Sequence, residues 1–194
     1  MLTINDSKSK CIIFGNSSHF CHVPSINFVS EIKLLGVIFS SDLKWDSHVD
    51  FIIRIATRRL YALRILSNII SKDNLILIFH SLVRSVLEYC SVVFVGLNHK
   101  NSTLLEKIQR RAHHIICKSF CACNIQSLES RRILAANKLL LKASNNNLHV
   151  LNCIVPPKSQ IREDRFIQPF SRTARRSKSF FPFTVDAFNN SFQL

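Results

Sequence analysis

Glycine and proline are scarce in this sequence, and their scarcity excludes frequent breaks in secondary structure. Only three glycines occur in 194 residues, at Gly15, Gly36 and Gly96, and four of the five prolines lie at or after Pro156. Both residue types interrupt helices. The middle of the chain is therefore predicted to consist of long, uninterrupted helices.

Acidic residues are also few, with 12 Asp and Glu against 26 Lys and Arg, which gives a formal charge of +14. An excess of this size attracts polyanions, because their condensed counterions are released when the protein binds. Nucleic acid is therefore the expected partner. The alternatives are a solvated basic surface or an anionic membrane surface.

Long apolar segments are missing as well. The first ten residues include charged and polar residues where a signal peptide needs an apolar run, and the apolar stretch 75–97 contains His80, Arg84 and Glu88. Since a bilayer would have to bury these ionisable groups, we expect no transmembrane helix and no membrane partner. The odd number of cysteines, seven, indicates reduced thiols and a cytoplasmic or nuclear location.

The hydrophobic period changes along the chain. Short apolar runs at residues 11–14 and 31–39 are typical of strands, whereas a helical period begins at Asp46. This period predicts one long amphipathic helix. Its apolar stripe consists of Val49, Ile52, Ile53, Ala56, Leu60, Leu63 and Ile70.

Three more helices are predicted downstream. Ser71 is positioned to cap a second helix, which would form an antiparallel hairpin with the first. Thr103 and Glu106 have capping-box spacing at the start of a third helix that ends near Lys118, and a fourth spans residues 127–145. The predicted inward-facing residues are Leu75, Ile78, Phe79, Leu82, Val86 and Val93 on the second, Leu105, Ile108, Ala112 and Ile115 on the third, and Leu128, Ala135, Leu139 and Ala143 on the fourth.

These elements predict an α+β fold that is mainly α. A small N-terminal antiparallel strand unit would occupy residues 1–40, and a helical bundle residues 41–155. Residues 156–194 lack a long apolar stripe, so we expect a weakly ordered basic tail there.

Basic residues lie mainly off the apolar stripes of the predicted helices, so they could face a nucleic-acid backbone while the bundle stays packed. A merely soluble face would normally interleave both signs of charge, so the imbalance favours phosphate contact. The residues predicted to contact the backbone are Arg54, Arg58, Arg59, Arg64, Lys107, Arg110, Arg111 and Lys118.

One cluster offers an alternative, a metal site. His113, Cys117 and Cys121 are spaced to lie on one side of a helix, and zinc accepts histidine and cysteine ligands. The same positions continue the apolar stripe, no Cys-x-x-Cys knuckle occurs, and free cysteines are often simply buried. We therefore expect no metal and treat the cysteines, including the weaker cluster at residues 19–22, as structural.

Several motifs follow one another in a distinctive order. Asn-Asp-Ser-Lys-Ser-Lys at 5–10 precedes an apolar run, and Ile-Lys-Leu-Leu-Gly-Val-Ile-Phe at 32–39 precedes Asp-Leu-Lys-Trp-Asp at 42–46. A basic helix and Leu-Glu-Tyr-Cys at 87–90 come next. In this order the chain resembles the polymerase of non-LTR (LINE-like, jockey-type) retrotransposons, just downstream of its active-site Ala-Asp-Asp turn.

The resemblance continues through nearly the whole chain. Residues 105–112 look like that family's post-thumb helix, and Ser-Phe-Phe-Pro at 179–182 followed by Phe188-Asn189 looks like its C-terminal motifs, with Phe188 where the family usually has tryptophan. The resemblance implies that residues 1–40 are the end of a reverse transcriptase palm and residues 41–155 its thumb. The implied partner is an RNA or DNA template-primer.

The resemblance also implies roles for particular residues. Lys8 falls in the motif that closes on the incoming nucleotide. Lys33, Leu34, Leu35 and Gly36 match the primer-grip hairpin, where a glycine lets backbone approach the primer end.

No Ala-Asp-Asp turn occurs in the sequence. Phosphoryl transfer in the family needs paired aspartates that hold two divalent metals, magnesium in the parent enzyme. We therefore expect a truncated or decayed copy with no catalytic residues, no cofactor and no polymerase activity by itself. The alternatives are an independent helical nucleic-acid-binding module and a structural or interaction protein with a solvated basic face.

Overall fold

A computed structural model describes residues 9–14, 27–117, 126–161 and 165–191. The predicted fold class is confirmed, since the chain is α+β and mainly α. It divides into two compact units, Met1–Phe51 and Ile52–Leu194. The boundary falls inside the first long helix rather than at residue 40, and the segment from residue 156 belongs to the second unit.

The first unit contains two small strand pairs. β1 (Lys10–Cys11) pairs with β2 (Asn27–Phe28), and β3 (Glu31–Leu34) pairs with β4 (Val37–Ser40). The second pair is antiparallel as predicted, whereas the first is parallel. Parallel neighbours cannot be joined by a tight turn, and residues 12–26 separate the two strands in the sequence.

A two-residue turn joins β3 to β4. Leu34 pairs with Val37, so Leu35 and Gly36 alone form the connection, with φ angles of 48° and 87°. Positive φ at both central positions is typical of the type I′ turns that match the twist of a hairpin. Glycine adopts such a φ without strain, which accounts for Gly36.

The first long helix, α1 (Asp46–Leu66), matches the predicted amphipathic helix. Five members of the predicted stripe are buried: Val49, Ile52, Ala56, Leu60 and Leu63. Ile53 and Ile70 are half-buried. The opposite side of the helix is exposed and carries most of its arginines.

The second predicted helix is continuous in the chain but not uniform. α2 (Lys72–Ile78) leads into a π-helical segment (Phe79–Arg84) and then α3 (Ser85–Glu88). Ser71 precedes α2 but makes no side-chain capping bond. Arg59 of α1 donates from Nη1 to the Leu82 carbonyl oxygen at 2.5 Å, so a side chain of the first helix reaches the π-helical segment. The antiparallel hairpin of the two helices stays a prediction.

The π-helical segment changes which residues face the core. A π-helix has more residues per turn than an α-helix, so the buried positions shift by one residue. Val83 and Leu87 are fully buried in place of the predicted Leu82 and Val86. Beyond the end of α3 at Glu88, Phe94 is fully buried in place of the predicted Val93. Leu82 and Val93 are exposed and Val86 is half-buried, so this part of the stripe is wrong by one position.

The third predicted helix begins earlier than expected. α4 spans His99–Cys117, and the Asn98 side chain starts it by accepting a hydrogen bond from the Asn101 backbone N–H at 2.8 Å. Thr103 is therefore inside the helix, and the predicted capping box with Glu106 is wrong. The Glu106 carboxylate instead accepts from the backbone N–H groups of Leu128 and Glu129, at 2.6 and 3.3 Å.

α5 (Leu128–Asn145) has nearly the predicted bounds, and the Ser127 hydroxyl caps it by accepting from the Ser130 N–H. Its core residues are Leu128, Arg132, Ala136, Leu140 and Ala143. The predicted Ala135 is exposed and Leu139 half-buried. These two were wrong by one residue because a buried arginine, Arg132, sets the phase of the stripe. On α4, likewise, Ile116 is buried and the predicted Ile115 is half-buried.

The C-terminal segment folds against α5. After a 3₁₀ turn (Asn152–Ile154) come α6 (Ala174–Ser177) and α7 (Phe180–Asn190). Val185 and Phe188 of α7 form a buried cluster with Leu140 and Phe166. The expectation of a weakly ordered tail is therefore wrong for the described residues. Leu140 of α5 completes the core of α7, a contact between distant segments that the period of α7 alone does not reveal.

Candidate nucleic-acid interface

The α4 basic face consists of Lys107, Arg110 and Arg111, all of which are exposed. Their spacing of three and four residues places them on one side of the helix. Leu105 and Ala112 on the opposite side are fully buried. The face can therefore meet a polyanion without disturbing the core.

Lys100 extends this face two turns towards the N-terminus. It is exposed, and its distance of seven residues from Lys107 returns it to the same side. Sequence reasoning missed Lys100 because the helix was predicted to begin near Thr103. The signal that would have found it is Asn98, a favoured N-cap residue.

The one acidic residue of α4, Glu106, does not neutralise the basic face. Its carboxylate binds the first backbone N–H groups of α5, where the positive end of that helix dipole favours an anion. The Glu106 carboxylate therefore joins α4 to α5. The three cations of the face have no compensating carboxylate on their own helix.

The α1 basic face consists of Arg54, Arg58 and Arg64, each exposed on a helix whose other side is buried. Tyr61 lies on the same side, three residues after Arg58, and is 69% exposed. Arginine beside an exposed aromatic ring is a combination suited to nucleic acid, since one contacts phosphate and the other can contact sugar or base.

Arg59 has a different use. It is half-buried, and its bond to the Leu82 carbonyl holds α1 against the π-helical segment. Of the predicted backbone-contacting residues that the structure describes, it is the one with such a bond within the fold. We therefore assign Arg59 to packing rather than to the interface. Lys118 lies outside the described residues.

Ion pairs within the described ranges do not involve either basic face. Lys44 pairs with Asp42 at 3.1 Å, and Arg131 of α5 forms a bidentate pair with Glu88 of α3. The hydrogen bonds to Glu88 raise the pKa of Arg131, and burial lowers the pKa of the nearby Arg84. Glu88 thus serves the packing of α3 on α5. In the described part of the chain, no ion pair involves the exposed cations of α1 and α4, although Asp50 lies one turn before Arg54 on α1.

The predicted primer-grip residues come together in the β3–β4 hairpin. The Lys33 ammonium lies 4.3 Å from the centroid of the Phe51 ring, a cation–π contact that positions its side chain. Leu34 and Leu35 are exposed at the tip, 57% and 82% respectively. The turn at Gly36 thus presents apolar side chains and backbone. Lys8, predicted in the preceding motif, lies outside the described residues.

The metal alternative is only partly described. His113 and Cys117 lie one helical turn apart, with the thiol sulfur 3.3 Å from Nε2, whereas Cys121 lies outside the described residues. In the part of the chain that the structure covers, no group of three or more metal-binding side chains comes together. In the same ranges, no helix has the length and apolar character to cross a bilayer.

Comparison of the chain with protein-family models, curated proteins and solved structures finds no match. The likeness to LINE-like polymerases therefore rests on the sequence motifs alone. The two exposed basic faces are an independent physical observation, because they follow from burial, spacing and charge.

Proposed function

We propose that the chain binds an RNA or DNA template-primer through its second unit, as the thumb-like part of a LINE-like reverse transcriptase. The observation that carries the proposal is the pair of basic faces on α1 and α4. Each sets exposed arginines opposite a fully buried apolar stripe. The motif order of the sequence supports the link to that family.

Binding would use the phosphate backbone rather than the base edges. Guanidinium groups donate to phosphate in bidentate geometry, and such contacts position a duplex without reading its sequence. A surface that follows a copied strand meets every sequence in turn, so it gains nothing from base-specific contacts. The formal charge of +14 adds a long-range attraction that speeds association.

The hairpin around Gly36 would act on one strand only. Its tip presents exposed leucines and a glycine backbone, which are suited to packing against a sugar or a strand end, and Lys33 adds one cation. Its contribution to total affinity is therefore small. Nucleotide addition is not part of the proposal, since the chain contains no Ala-Asp-Asp turn to hold magnesium.

A salt titration tests this function. The purified chain is titrated onto a fluorescently labelled RNA–DNA hybrid and a DNA duplex, each in two unrelated sequences, while anisotropy is recorded at several salt concentrations. We expect the logarithm of affinity to fall linearly with the logarithm of salt, by about 0.7–0.9 per phosphate contact, and to be similar for both sequences.

Two results would contradict the proposal. Affinity that is insensitive to salt would remove the phosphate contacts and favour the structural or interaction protein. Strong preference for one sequence would favour an independent module that reads base edges. A mixed-sequence single strand of the same length serves as the comparison for duplex preference.

A further inference from the structure

A second surface in unit 2 is built from the C-terminal segment rather than from α1 and α4. It is an open cleft of about 720 Å³. Its lining is mostly apolar, with four prolines and the side chains of Ile154, Ile167, Phe170 and Phe181, and Arg176 is its one cation. A concave apolar surface with one charged group is a common form of binding site.

Hydrogen bonds hold the walls of this cleft in place. Gln168 donates from Nε2 to the Pro182 carbonyl at 2.9 Å, which joins the extended wall to α7. Asn189 accepts from the Phe166 N–H at 3.1 Å and donates to the Phe166 carbonyl at 2.9 Å. The rings of Phe166 and Phe188 pack edge to face with centroids 5.4 Å apart. The cleft is therefore a formed feature of the fold.

Phe170 projects from this ordered wall into solvent. It is 82% exposed, the largest exposed fraction among the described aromatic side chains, whereas Phe166 on the same segment is 3% exposed. The hydrophobic effect alone would place such a ring in the core. Its position beside an ordered cleft indicates a surface for a flat, stackable partner.

The charged residues that follow Phe170 in the sequence are all basic as far as Lys178. Arg172, Arg175, Arg176 and Lys178 are all exposed, and the sequence has no acidic residue between Arg165 and Asp186. The backbone that carries them is ordered, since the Arg176 N–H donates to the Thr173 hydroxyl at 3.2 Å. Arg176 lines the cleft together with Phe170, and its neighbours in the sequence add three more exposed cations, a combination that matches a polyanion with exposed bases.

We propose that this cleft binds single-stranded nucleic acid, with a base stacked on Phe170 and phosphates held by Arg176 and its basic neighbours. Bases are unpaired only in a single strand, so a duplex would engage the cations but not the ring. The proposal goes beyond template-primer binding and does not depend on the faces of α1 and α4. A protein ligand would have to be both apolar and acidic to match the same surface.

Fluorescence anisotropy with labelled single strands tests this site in the full chain. The probes are oligo(dT) and oligo(U) of about a dozen nucleotides, within the range that such sites cover. Phe170→Ala should weaken binding of both by about fivefold or more, the loss of one stacked base. Phe170→Trp should restore it, and Arg176→Gln should weaken it and flatten its salt dependence.

Ile161→Ala is the matched control, because Ile161 is 94% exposed and does not line the cleft. It should leave single-strand binding unchanged. Phe170→Ala should leave duplex affinity unchanged. Single-strand affinity therefore tests the cleft, and duplex affinity separately tests the basic faces of α1 and α4. Wild-type single-strand affinity in Phe170→Ala would overturn the proposal.

A labelled acidic, leucine-rich peptide is the remaining arm of the experiment. Binding of the peptide that requires Phe170, without binding of either oligonucleotide, would assign the cleft to a protein partner and overturn the proposal. Because Phe170 is exposed, Phe170→Ala should keep the wild-type thermal midpoint. That measurement separates loss of the site from loss of the fold.

Discussion

Gly96 lies where the C-terminal segment meets the rest of unit 2, so Gly96→Ala tests how firmly that segment is packed. A Cβ atom at this position would lie 2.1 Å from the Lys178 carbonyl oxygen and 2.8 Å from its carbonyl carbon. Optimal contact between such atoms is about 3.5 Å, so the backbone would have to separate by about 1.4 Å. The obstructing atoms are main chain and cannot rotate away.

The size of the stability loss in Gly96→Ala depends on how firmly the backbone at Lys178 is held. Lys178 lies between α6 and α7, and α7 buries Val185 and Phe188. Releasing α7 would forfeit about 1.5–3 kcal/mol for each of these two side chains. Distortion at the contact costs about 1–3 kcal/mol, the usual range for overpacking, and is the cheaper response. We therefore expect a loss of about 1–3 kcal/mol with α7 still in place.

Urea unfolding followed by circular dichroism measures this loss. Gly36→Ala is the comparison, since Gly36 has a φ of 87° and its substitution would strain a hairpin turn by about 1–2 kcal/mol without a steric clash at the C-terminal segment. Gly96→Ala should also speed hydrogen exchange in α7, and Gly36→Ala should not. An unchanged midpoint and unchanged exchange for Gly96→Ala would refute the tight packing of this segment.

Three further predictions concern stability, pH and catalysis. Leu60→Ala should lower the free energy of unfolding by about 2–5 kcal/mol through lost burial and a cavity. Arg58→Ala should change it little. Equal shifts in the urea midpoint would mean that the wrong face of α1 was assigned to the core. Burial lowers the pKa of His48 below its ordinary 6.5, so the unfolded chain binds the proton first and stability should fall as pH drops below about 6.5. His48→Gln should flatten that dependence in urea titrations at successive pH values, and an unchanged slope would contradict it. The purified chain should not extend a primer with magnesium or manganese, and incorporation above a heat-killed control would count against this.

The periodicity of the sequence predicted where α1 begins and, to within one residue, the bounds of α5, for which Ser127 is a strong cap. The predicted α1 stripe was too long, because α1 ends at Leu66 and Ile70 lies beyond it. The predicted core positions were wrong where the helix departs from α-helical geometry and where a charged residue is buried. At Phe79–Arg84 the π-helical geometry shifts the core by one residue, and no composition signal marks such a segment. On α5 the buried Arg132 occupies a core position, where its Nη2 donates to the Ser102 hydroxyl at 3.0 Å.

Other misses arise from contacts between distant segments. Glu106 has the spacing of a capping residue for its own helix, yet it caps α5, 22 residues further along the chain. α7 depends on Leu140 and Phe166, which are distant in the sequence, for its core. For the interface, helical spacing found the exposed arginines of α1 and the exposed cations of α4 other than Lys100. The bond from Arg59 to Leu82 and the cleft around Phe170 depend on tertiary contacts that sequence spacing does not contain.

Binding of a duplex by the basic faces of α1 and α4 is tested most directly by neutralising these faces and measuring how duplex affinity depends on salt. Four substitutions on α1 and α4 are compared with four on the C-terminal segment that remove the same charge. The first set is Arg54→Gln, Arg58→Gln, Arg110→Gln and Arg111→Gln, and the second is Arg172→Gln, Arg175→Gln, Arg176→Gln and Lys178→Gln.

The first set should weaken binding to every duplex sequence alike and reduce the slope of log affinity against log salt by about 0.7–0.9 for each lost phosphate contact. The second set should change the duplex slope less, although it lowers the net charge equally. If the first set keeps the affinity and slope of the parent chain, the basic faces of α1 and α4 are not the interface and the account is contradicted.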